Sequence, residues 1–72
     1  MDDVQEKLRI LLDYWIEHNS EHEKEFRDWA DKVIPLSAEV TRQLQEAATL
    51  TAAASDELMK AKQALLESKE GY

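Results

Sequence analysis

The sequence has no cysteine, a single glycine (Gly71) and a single proline (Pro35). Without thiols there is no disulfide framework, no cysteine zinc site and no thiol nucleophile. With one glycine there is no loop to cradle a phosphate. Basic residues are scarce: 9 Lys and Arg against 16 Asp and Glu leave a formal charge of −7. Nucleic acid is therefore not an expected partner, because neutralising phosphates requires a basic face. No apolar run approaches the roughly 20 residues of a membrane span, and Met1-Asp2-Asp3 is unlike the basic start of a secretory leader. A soluble, cytoplasmic protein with no membrane contact is the expectation. What the chain does hold is 72 residues, 43% of them apolar. That is too apolar for a disordered acidic tail and enough for one small domain, residues 1–72.

Pro35 divides the chain. Proline lacks an amide hydrogen and pushes the preceding residue out of helical geometry. The sequence predicts a helix over about residues 3–33 and a turn at 34–37, then a second helix over about 38–69, with Ser37 as its cap. The acidity is uneven. Residues 1–34 hold ten acids and five bases, whereas 36–72 hold six and four.

In the first half, Val4, Leu8, Leu11, Trp15, His18, His22, Phe26, Trp29 and Val33 are separated by steps of 4, 3, 4, 3, 4, 4, 3 and 4. Their mean is about 3.6, the period of an α-helix. Ser20 and Glu23 form a capping-box pair, but the stripe keeps its phase across them, so one unbroken helix is predicted. The second half repeats the pattern with smaller residues: Val40, Leu44, Ala47, Thr51, Ala54, Leu58, Ala61 and Leu65. Folding back at Pro35 makes the helices antiparallel, with facing positions adding to about 70. Trp15, His18 and His22 are then expected against Ala47, Ala48, Thr51, Ala52, Ala54 and Ser55, large rings on small side chains.

The fold class expected is all-α: a two-helix antiparallel hairpin that pairs into a four-helix bundle. A second apolar strip on the first helix (Leu12, Ile16, Ala30, Ile34) and Leu50, Met59 and Leu66 on the second exceed what a hairpin can cover. A homodimer, or docking onto another helical protein, is the expected consequence.

One constellation invites chemistry. His18 and His22, four residues apart, share a helix face and can chelate one divalent metal. Glu21 and Glu25 lie beside them and complete a candidate ligand set for nickel, zinc or iron. Asp13, Glu17, Glu21 and Glu25 form a ladder of like charge whose repulsion a cation would relieve. The alternative is structural: His22 packed and hydrogen-bonded to Thr51 or Ser55, with His18 a half-exposed rim residue. Neither H-E-x-x-H nor the E-x-x-H of di-iron bundles is present. No triad or water-excluding cleft is legible, so an enzyme is not expected.

The segment Tyr14-Trp15-Ile16-Glu17-His18-Asn19, with His22, Phe26, Trp29 and Ala30, resembles a short helical module of uncharacterised small proteins of anaerobic prokaryotes. That module reads roughly H-W-x-x-H-N-x-x-H-x-x-x-F-x-x-W-A and sometimes accompanies metal-handling proteins. Tyr14 stands where it has its first histidine. By that resemblance His18 and His22 are candidate ligands. The function expected is a non-catalytic, self-associating helical module with a divalent-metal site at His18 and His22. The competing expectation is a plain interaction module without metal.

Overall fold

The computed structural model of the chain describes residues 3–70, with side chains through residue 67. Helix α1 runs Asp3–Lys32 and helix α2 runs Ala38–Glu70. The all-α hairpin is present; Met1, Asp2, Gly71 and Tyr72 of the expected domain lie outside the described residues. Helix α1 passes through Asn19-Ser20 without a break, as propagation is favourable once a helix has nucleated. Asp3 and Glu6 in its first turn and Lys32 in its last complement the helix dipole.

The turn follows from Pro35. The Val33 carbonyl accepts hydrogen bonds from the amides of Leu36 and Ser37, each at 2.9 Å. Ser37 Oγ accepts from the Val40 amide at 3.2 Å, the expected cap of α2. The Thr41 hydroxyl then donates to the Ala30 carbonyl at 3.0 Å, a buried bond between the helices. It sets the antiparallel register, facing positions adding to 71 at this contact, in line with the sequence reading.

The face that α1 turns to α2 is not the expected one. Gln5, Arg9, Leu12, Ile16, Asn19, Glu23, Phe26, Ala30 and Val33 are buried or half-buried, at strictly alternating steps of four and three. On α2 the same alternation runs through Ser37, Thr41, Leu44, Ala48, Thr51, Ser55, Leu58, Lys62 and Leu65. These two matched series form the seam. Leu12, Ala30 and Ala48 are its buried apolar residues, with Thr41 and Ser55 buried beside them.

The seam lies about 80° around α1 from the stripe of large apolar residues. Two packed helices supercoil so that a 3.5-residue repeat stays in register with the partner. The large stripe takes two successive steps of four, from His18 to His22 to Phe26, and drifts out of that register. Phe26 and Val33 belong to both series; Val4, Leu8, Leu11, Trp15 and Trp29 are left exposed outside the seam, Trp29 at 54%. The small Thr41, Ala48 and Ser55 admit a close approach that suits Leu12 and Ile16 and leaves no room for indoles. The expected contact of Trp15 and the histidines with the alanines of α2 is therefore corrected.

The opposite flank of the hairpin is charged. Lys62 pairs with Asp13 across the helices, and Arg27 with Glu23 along α1 at 3.2 Å. Half-exposed pairs of this kind contribute little, typically below about 1 kcal/mol. The hairpin is long and thin, 56 × 15 × 11 Å, with a radius of gyration of 16.4 Å against about 11 Å for a compact chain of this length.

Substitutions on α2 separate the two faces. Ala48→Leu is expected to destabilise the hairpin by about 1–3 kcal/mol through overpacking, whereas Ala53→Leu, at an exposed position on the far side of α2, stays within about 0.5 kcal/mol of the parent. Urea unfolding followed by circular dichroism measures both.

Candidate functional site

Four rings stand on α1 at steps of four: Tyr14, His18, His22 and Phe26. Residues so spaced are neighbours on a helix surface. Tyr14 stacks on His18 with centroids 5.4 Å apart and planes 13° from parallel. His22 stacks on Phe26 at 5.8 Å and 24°. Between these two stacks the imidazoles meet edge to face, 4.5 Å apart at 90°. The outer rings thus hold the inner two, and the ladder is a feature of one helix alone.

The central contact is the closest. His22 Nε2 and His18 Nε2 are 3.1 Å apart, a hydrogen bond when one nitrogen is protonated and the other is not. The other nitrogen of His22, Nδ1, faces Glu25 Oε1 at 3.5 Å. With the proton of His22 on Nδ1, toward that carboxylate, Nε2 of His22 accepts from Nε2 of His18. Glu25 thereby orients His22 from the side opposite His18. Glu21 lines a shallow hollow with Tyr14, Glu17 and His18. Among the described residues, no group of three or more His, Cys, Asp or Glu side chains is placed to hold a metal ion within one chain.

Neither imidazole points into the hairpin. His18 is exposed and His22 half-buried, which corrects the expectation that both project toward α2. The expected bonds of His22 to Thr51 or Ser55 are corrected too. The Thr51 hydroxyl donates to the Ala47 carbonyl at 2.8 Å, and Ser55 Oγ is a buried oxygen without a partner among the described residues.

Instead the histidines sit midway along an uncovered ridge. Val4, Leu8, Leu11 and Trp15 precede them and Trp29 follows, with Lys32 Nζ 4.6 Å from the Trp29 ring centroid. On α2, Val40, Ala47, Ala54 and Ala61 recur at steps of seven, about 70° from the seam. Antiparallel helices turn in opposite senses, so this strip and the α1 ridge face the same side of the hairpin. The matched alternation of four and three in both helices was the signal for the seam. It escaped a reading weighted by large residues because Thr, Ser and Ala carry little hydrophobic contrast.

Comparison with known proteins agrees with a short module. Residues 8–65 match the family described as "Domain of unknown function (DUF8180)", and the chain belongs to that family. It is 42% identical over 43 residues to an "Uncharacterized protein" of Archaeoglobus fulgidus, a match covering 60% of this chain and 69% of the relative. No solved structure matches. No described helix is long and apolar enough to cross a membrane.

Truncations distinguish ridge from seam. Leu12→Ala is expected to cost about 2–3 kcal/mol of unfolding free energy, while His18→Ala in the dilute, metal-free chain stays within about 0.5 kcal/mol. Denaturant titration of the two variants against the parent provides the measurement.

Proposed function

We propose that this chain is a non-catalytic, self-associating module in which two hairpins join their ridge faces to make a four-helix bundle. The carrying observation is the ridge itself: a full-length apolar strip of α1, free of Lys, Arg, Asp and Glu along its crest, left outside the seam. Depletion of charge is what distinguishes the centre of a protein interface from other surface. The angle supports the same reading, because in a square bundle each helix meets its two neighbours about 90° apart, close to the separation of ridge and seam.

Area supports it as well. The chain exposes 5458 Å², whereas a compact monomer of its mass exposes about 4,600 Å². The excess, about 900 Å², is close to the ~800 Å² that each partner buries in a standard interface. Among the described residues, three apolar side chains are buried within the hairpin, too little for a small fold without a disulfide. A second copy supplies the rest.

The alternative reading, a plain interaction module without metal, uses the same face for a different helical protein. A divalent-metal reading draws support from the 3.1 Å contact between the two histidine nitrogens, which brings two ligands together in each chain.

Sedimentation equilibrium of the chain at micromolar concentration is expected to show a dimer, and a folded monomer throughout would reject self-association. Trp15→Ala is expected to weaken the dimer about 30-fold, the effect of losing an anchor of about 2 kcal/mol. Met59→Gln, on the charged flank, leaves the dimer unchanged.

A further inference from the structure

The histidines lie near the middle of the ridge. It extends from Val4 to Val33, and the midpoint of the histidine pair is residue 20. A two-fold axis perpendicular to α1 and passing beside it at that level lays a second copy of α1 antiparallel along the ridge. Leu11 then faces Trp29 of the second copy, Tyr14 faces its Phe26, and His18 faces its His22. Isologous contact thus brings like clusters together at the axis.

We infer that a two-fold dimer gathers His18 and His22 of both copies into a four-imidazole site for a divalent transition metal of zinc type; this rests on the self-association proposed above. The geometry of the half-site is suitable. Two nitrogens bound at about 2.0–2.1 Å stand about 2.9 Å apart at a right angle and about 3.3 Å apart at the tetrahedral angle. The observed Nε2 separation, 3.1 Å, falls between them, so little movement is needed beyond transfer of the His18 proton to its Nδ1. Imidazole is a ligand that zinc, copper and nickel share. Each chain offers two such nitrogens and, among its described residues, no set of three or more candidate ligands, so closing the coordination shell calls on the second copy. Glu25, beside Nδ1 of His22, holds the position from which a carboxylate fixes a metal-bound histidine. With each chain at −7, a dication at the axis also offsets repulsion between the two copies.

The test is a zinc titration of the intact chain, read by calorimetry and sedimentation equilibrium, with chelator as reference and cobalt(II) as spectroscopic probe. One zinc per two chains, a tetrahedral cobalt spectrum and a dimer tightened between about 5- and 150-fold by zinc are expected. His18→Ala and His22→Ala should each weaken zinc binding by at least about 100-fold, more than loss of an outer-shell partner costs, and keep the chelator-treated dimer. Leu11→Asp, which breaks the ridge contact, should lose both dimer and zinc. A chelator-resistant dimer that binds no zinc, or one zinc per chain, overturns the shared site and leaves self-association standing. Zinc retained by a monomeric Leu11→Asp chain also overturns it. A monomer with and without zinc overturns both.

Discussion

A hairpin of two helices has one seam, and each helix can bury only one strip of its surface in it. Helix α1 carries two apolar strips, and everything distinctive about the molecule follows from which of them is used. The choice is made by α2. Its small residues Thr41, Ala48 and Ser55 recur every seven positions, and that spacing permits two backbones to approach along their whole length. A strip with matching alternation of four and three fits it continuously, even with Gln5, Asn19 and Glu23 among its members. The richer strip, with both indoles, is left outside because its phase slips midway. Regular fit over nine layers outweighs greater hydrophobicity over fewer.

The position of the histidines follows from that outcome. Packed against α2, each imidazole would have needed a buried partner, since a buried polar group without one costs about 1–3 kcal/mol. On the ridge they satisfy one another edge to face, with Tyr14 stacked on one and Phe26 on the other. The polar pair thus interrupts an apolar crest at its centre. A polar element at the middle of an otherwise greasy helix contact fixes alignment more than it adds strength, as single buried polar residues do in coiled coils.

Much of the scaffold was legible from the letters because local chemistry determines it. Pro35 ends α1 within a residue of the expected position, Ser37 caps α2 as its hydroxyl allows, and the antiparallel register differs by one from the sequence estimate. These features depend on one or two residues each. The buried face of α1 depended on a comparison between two helices. Periodicity weighted by side-chain size favours Trp15 and Trp29, whereas contact is governed by the steric profile of the opposing helix, where the decisive residues are small and chemically quiet. The i, i+4 relation of His18 and His22 was visible at once, and their mutual contact follows from it. Their outward aim was hidden by the same error that misplaced the seam.

The connection at one end has a kinetic consequence. The five-residue connection, the Ser37 cap and the Thr41–Ala30 bond all lie within one stretch of chain, so closing it confines few residues and costs little loop entropy. Helix pairing then zips outward from that hinge, each layer adjacent to the last, the kind of local topology that folds in microseconds to milliseconds. The far end, where Gln5 and Leu65 sit half-exposed, closes last and opens first. Amide protection is accordingly expected to grade along the rod, deepest beside the hinge and shallowest around Gln5 and Leu65.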